Sequence, residues 1–95
     1  MNISRQAIVN FAIKTVQNGN NRYKDRWLKA VESAKNIFLV NDEDVSADIH
    51  KRLEQYQTTI HTCGCKAAST GYPCYHRAYL LLQLRYAEWN GSEHE

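Results

Sequence analysis

All three cysteines of this 95-residue chain fall within twelve positions, and a histidine stands two residues after the last of them. The order is Cys63-x-Cys65, then eight residues, then Cys74-x-His76. Three thiols and an imidazole are a donor set for Zn2+, and four such ligands close a tetrahedron without leaving a position for water. That is the pattern of a structural site rather than a catalytic one. Three cysteines can also be plain buried thiols, or one disulfide with a cysteine left over. Their placement at ligand spacing, with a histidine completing the set, favours the metal. His50 and His61 are spare imidazoles nearby and read as surface residues.

The spacing constrains the elements that carry these side chains. In an extended strand, residues i and i+2 project from one side, so Cys63 and Cys65 can grip one ion, and Gly64 leaves room for backbone approach. On a helix, i and i+2 point about 200° apart, so Cys74 and His76 cannot both lie inside one. Pro73 biases Tyr72 towards an extended conformation. It sets Cys74 ahead of a helix, with His76 in or near the first turn. Thr70-Gly71-Tyr72-Pro73 then reads as the turn that returns the second ligand pair to the first. Three thiolates and a neutral imidazole around Zn2+ carry about −1 in total. The N–H groups at a helix start favour that charge, and Lys66 and Arg77 flank it.

Cys-x-Cys…Cys-x-His, with proline before the third cysteine and an aliphatic helix after the histidine, resembles the SWIM zinc finger. The resemblance spans residues 56–84, extends more loosely back to Trp27, and leaves out residues 1–26. It implies a small β-hairpin that ends at the first ligand pair and a helix that opens at the second. It also implies a module that contacts DNA or a protein partner in DNA metabolism. This chain carries Tyr75 between the last two ligands, where a basic residue is usual in the family.

The composition is that of an ordinary folded domain: 43% apolar and 23% charged residues, with a formal charge of +2. A chain of this length makes one domain, in which a metal staple adds materially to stability. The charge is too small to mark a dedicated nucleic-acid binder by itself. No stretch reads as a secretory leader or a membrane span. An odd number of cysteines, with no secretory leader, favours a reducing compartment, cytosolic or nuclear.

Taken in order, residues 4–17 predict a helix, with Ile8, Phe11, Ala12 and Thr15 as its stripe and Val9, Ile13 and Val16 widening it. Asn2 or Ser4 can cap its start, and Gly19 suits a left-handed C-terminal position. Residues 22–36 predict a second helix, with Trp27, Ala30, Val31 and Ala34 inward. Its outer face holds Arg22, Lys24, Arg26, Lys29 and Lys35, interleaved with Asp25 and Glu32. That face can track phosphates, though interleaved acids also suit a plain solvated surface. Ile37-Phe38-Leu39-Val40 predicts a short strand, and 41–44 a turn. Residues 45–53 fit both a strand and a helix stripe (Val45, Ile49, Leu53, Tyr56), and periodicity does not separate them. The family resemblance tilts this stretch to a strand paired with residues 56–61. Residues 76–89 predict the last helix, with Leu80, Leu84 and Ala87 on the face below His76, and 90–95 a polar tail.

The expectation is therefore an α+β, zinc-stabilised single domain. It has a helical part (1–36), a SWIM-like ββα part with an antiparallel hairpin (37–89), and a tail (90–95). An enzymatic reading has little to stand on. A hydrolytic zinc site needs an open ligand position and a general base, and a thiol-redox role would require thiols that the metal occupies. Two binding readings remain, with no small-molecule substrate and no membrane. In the first, Lys51, Arg52, Lys66, Arg77 and Arg85 surround the finger and meet DNA. In the second, Leu81 and Leu82 on the last helix meet a protein partner or a second copy.

Overall fold

The computed structural model describes residues 3–20, 22–40, 42–59, 61–65 and 72–90. These described residues form four helices in chain order: α1 (Arg5–Asn18), α2 (Lys24–Val40), α3 (Glu43–Gln55) and α4 (Tyr75–Asn90). Among the described residues there is no strand. The expected α+β architecture with its hairpin is thus replaced by an all-helical one.

Helix α1 starts where expected. The Ser4 hydroxyl accepts a hydrogen bond from the Ala7 N–H at 3.1 Å, meeting one of the donors a helix start leaves open. Its inward residues are Ile8, Val9 and Ala12, while Phe11 is 45% exposed. Gly19 closes it with φ −85° and ψ 164°, an extended rather than a left-handed conformation.

Residues 37–40 continue α2 instead of forming the expected strand. Phe38 follows Ala34 by four residues and Val31 by seven, the spacing of one helix face. All three are fully buried, and Phe38 meets the edges of Tyr79 and Tyr86 with ring centroids 6.4 and 6.1 Å away. Burying one such ring is worth about 1.5–3 kcal/mol, more than the β preference of Ile, Phe and Val can oppose. Arg5 seals the helix end. Its guanidinium donates to the Phe38 carbonyl at 3.0 Å and lies 4.6 and 4.5 Å from the Phe38 and Tyr86 ring centres.

The expected hairpin does not form among the described residues. Residues 45–53 take the helical alternative: Asp42 caps α3 by accepting from the Asp44 and Val45 N–H groups, and Ile49 and Leu53 face inward. The Asp42-Glu43-Asp44 part of the expected turn is this helix start, where carboxylates suit the dipole. At the other end Gln57 has φ 49°. The Thr58 N–H reaches the Leu53 carbonyl at 2.9 Å and the Gln57 N–H reaches that of Glu54 at 3.1 Å. This is a Schellman closure built on a residue other than glycine. Backbone groups committed to a helix cap are not available for a β-ladder. Ile60, in the expected second strand, lies outside the described residues.

Helix α2 packs most extensively on α4 and next on α1, while α3 makes smaller interfaces with α4 and α2. Tyr79 and Leu82 of α4 are buried, together with Ala78. Leu84 and Ala87, expected inward, face solvent, with Leu84 48% exposed. Asn90, expected in the tail, ends α4 and is buried. Its side chain accepts from the Ile3 N–H at 2.7 Å and donates to the Ile3 carbonyl at 3.2 Å, clasping the two ends of the described chain. Among the described residues no helix is long and apolar enough to cross a membrane.

Candidate metal centre

The four ligand candidates come from two places. Cys63 and Cys65 sit on the short loop that leaves α3, and Cys74 and His76 bracket the start of α4. The loop is folded by its own polar groups. The Thr59 hydroxyl accepts from the His61 and Thr62 N–H groups, and the Thr59 N–H donates to the Thr62 carbonyl at 2.7 Å. The Gly64 N–H then donates to the Tyr56 carbonyl at 2.8 Å. A Cβ on Gly64 would stand 2.9 Å from that same oxygen, so the close approach requires glycine. As expected for Pro73, Cys74 lies just ahead of the helix and His76 is in its first turn.

The sulfur and imidazole ligand atoms of Cys63, Cys65, Cys74 and His76 all lie within 4.8 Å of one another. Zinc–sulfur and zinc–nitrogen bonds of about 2.3 and 2.0–2.1 Å place tetrahedral ligands on the order of 3.5–3.8 Å apart. Nδ1 of His76 is 3.8 Å from Sγ of Cys63, close to such an edge. Cys65, Cys74 and His76 are buried, and Cys63 is half-buried. Nε2 of His76 is buried without a hydrogen-bond partner among the described residues. The cysteines form no disulfide. Three thiols and an imidazole nitrogen converging on one point fit a single metal ion.

The surroundings tune the donors. Burial alone would raise the Cys63 thiol, but hydrogen bonds from Thr58, the Cys65 backbone and the Cys65 and Cys74 side chains outweigh it, and its pKa falls. The Thr58 hydroxyl is 3.1 Å from that sulfur. Burial pushes the Cys74 thiol up to about 12, against a backbone hydrogen bond from Arg77 at the start of α4. Burial and then the Arg52 cation lower the His76 pKa, which keeps the ring in the neutral form a metal needs. The rings of Tyr75 and Tyr56 lie 4.1 and 5.2 Å from the imidazole and hold it in place.

Set against known proteins, the chain matches no family model, no curated protein and no solved structure. The cluster's meaning therefore rests on its own chemistry.

The other expected site residues are dispersed. Lys51 is exposed on α3. Arg52 pairs with Asp48 at 3.3 Å and donates to the Tyr75 hydroxyl at 3.4 Å. Arg77 lies over the Trp27 ring at 5.0 Å, and Arg85 pairs with Glu88 at 3.7 Å. Lys66 lies outside the described residues. Leu81 is half-buried at a groove with Thr15, Val16 and Trp27. Leu82 is fully buried in the core, which removes it from any contact surface. Sequence reasoning missed Thr58 and Tyr56, whose hydroxyl, carbonyl and ring support the ligands. Their positions ahead of Cys63 carry no recognisable pattern, because they meet the site only through the α3 cap.

Proposed function

We propose that this chain is a zinc-stabilised binding module without enzymatic activity, and that it acts on nucleic acid in a reducing compartment of the cell. The observation that carries the zinc assignment is the closed donor set: three cysteines and one histidine within 4.8 Å, with no carboxylate in the cluster. Sulfur-rich tetrahedral sites select zinc over magnesium or calcium, which take oxygen ligands. Four protein ligands leave the ion no position at which to activate water, so its work is to tie the end of α3 to the start of α4. The SWIM-like spacing supports the nucleic-acid reading, although the helices around it take the place of that family's hairpin.

X-ray absorption at the zinc edge tests the proposal. The expected first shell is three sulfurs near 2.3 Å and one nitrogen near 2.0–2.1 Å. A shell containing a water oxygen would overturn the structural assignment.

One observation favours a second reading, in which the partner is a protein. A groove of about 580 Å3 between α1, α2 and α4 is lined by Thr15, Val16, Trp27 and Leu81, and Phe11 and Leu84 are large exposed apolar residues on α1 and α4. If that groove is shared between copies, Leu81→Glu abolishes a dimer seen by light scattering. A monomeric wild-type protein removes the homodimer form of this reading.

A further inference from the structure

The charges best placed to meet a polyanion are not those around the finger but those on one side of α2. Arg26 and Lys29, three residues apart and therefore on one face, line a groove of about 200 Å3 with Ser33 of α2 and Pro73, Cys74 and Tyr75 at the start of α4. The Arg26 guanidinium lies 3.7 Å from the centre of the Tyr72 ring. Tyr72 in turn meets the edge of Tyr23 at 5.2 Å, and Arg22 lies 5.6 Å from the Tyr23 ring. The order Arg22, Tyr23, Tyr72, Arg26 makes a row in which a pair of rings is flanked by a cation at each end. Stacking fixes the plane of a guanidinium and uses none of its N–H donors, which stay available at its edge for a bidentate acceptor such as phosphate.

The acids on α2 do not cancel this surface. Glu32 is held by Lys35 at 2.7 Å, and neither Asp25 nor Glu32 lines the groove. Arg22, Arg26 and Lys29 form no ion pair among the described residues, unlike Arg52 and Arg85. A closed three-thiolate zinc site adjoining the groove adds about one negative charge, against three cations. Helix geometry separates Arg26 and Lys29 by about 4.5 Å along the axis, so each can serve a different phosphate of one strand.

We infer that the groove between α2 and the start of α4 seats a single nucleic-acid strand, with Arg22, Arg26 and Lys29 on its phosphates beside Tyr72. Three cations spread along one side, with the Tyr23–Tyr72 pair between two of them, select this occupant over an isolated anion. The inference rests on the nucleic-acid reading proposed above and moves the contact from Lys51, Arg52, Lys66, Arg77 and Arg85 to Arg22, Arg26 and Lys29 at and just ahead of α2.

The test is fluorescence anisotropy of the zinc-loaded full chain with a 20-nucleotide oligothymidine across a salt series. Three phosphate contacts give a log–log slope of about −2 for a single strand, a loss of about 20-fold between 50 and 200 mM salt. Arg26→Gln/Lys29→Gln should cut low-salt affinity by at least about tenfold and make the slope shallower by about 1.4. A charge-matched control on the exposed face of α1, Lys14→Glu, should bind as the wild type does. Circular dichroism and zinc content confirm that each variant is folded. If the wild type binds but the Arg26/Lys29 variant binds equally well, or the control loses as much, the groove assignment is wrong and the broader reading survives. Absence of wild-type binding at low salt overturns both. Competition by polyglutamate as effective as by oligothymidine at equal charge assigns the groove to an acidic polypeptide and overturns the inference.

Discussion

Gly64→Ala is the sharpest single-atom perturbation of the metal centre. The added Cβ would lie 2.9 Å from the Tyr56 carbonyl oxygen and 3.6 Å from the Tyr56 carbonyl carbon and Cα. All three are backbone atoms at the capped end of α3, so no flexible side chain can move aside. The alternative is for the loop to retreat, which breaks the 2.8 Å bond from the Gly64 N–H to that oxygen and displaces Cys63 and Cys65 on either side. A lost hydrogen bond of about 1 kcal/mol and overpacking of at least about 1 kcal/mol sum to about 2 kcal/mol. This cost applies mainly to the metal-loaded form, where the ion fixes both cysteines. In the metal-free form the loop is able to relax. At about 1.4 kcal/mol per factor of ten, the zinc dissociation constant should rise by about 30-fold, read by anaerobic competition with a chromogenic chelator. Gly19→Ala is the control. Its nearest obstacle is 3.2 Å away and its backbone is in a region open to any residue, so zinc affinity should not change. A Gly64→Ala affinity within twofold of the wild type would refute the argument that this glycine sets the ligand geometry.

Three further outcomes follow from the same structure. Gln57→Gly should stabilise the protein by about 1 kcal/mol in urea unfolding, because φ 49° strains a residue with a Cβ and not glycine. Leu82→Ala should cost about 2–5 kcal/mol and Leu84→Ala less than about 0.5 kcal/mol, since the first is fully buried and the second half in solvent. Equal costs by chemical denaturation would contradict the placement of α4. Metal binding at pH 7 should release at least one proton, because burial holds the Cys74 thiol near 12 in the metal-free fold. His76, its pKa lowered first by burial and then by Arg52, is already neutral there and adds none. Affinity should therefore rise with pH as thiol protons cease to compete. Calorimetry in two buffers of different ionisation heat reads the proton count, and identical heats would contradict it.

The site was legible in the sequence because its constraint is local. Cys63-x-Cys65 and Cys74-x-His76 each fix their own geometry, and Pro73 announces where α4 begins. Much of the helical frame was legible for the same reason: Ser4 caps α1, and Ala30, Val31 and Ala34 line up at helix spacing. The β-hairpin arose from two places where local preference and tertiary packing part company. Ile37-Phe38-Leu39-Val40 has strand composition, yet Phe38 fills the gap beside Tyr79 and Tyr86 only if the helix continues. Val45, Ile49 and Leu53 fit both periods, and the choice lay in Asp42, which caps a helix just as readily as it turns a hairpin. The Schellman closure at Gln57 could not be read at all, because glycine normally marks it. The inward face of α4 was misplaced by starting the count from His76 through Leu80 and Leu84. The helix instead turns Ala78, Tyr79 and Leu82 to the core, and its aliphatic residues all round the axis hid that choice.

Hydrogen–deuterium exchange with and without a zinc chelator directly measures the proposed link, one ion joining the end of α3 to the start of α4. Helix α3 has the smaller core interfaces, held by Ile49 and Leu53, whereas the middle of α2 is buried against both α1 and α4. Chelation should therefore release the amides of residues 49–58 and 61–65 to fast exchange, while those of 31–38 change far less. Unchanged protection of α3 and its loop after the metal is removed would contradict the claim that these four side chains hold the module together through an ion.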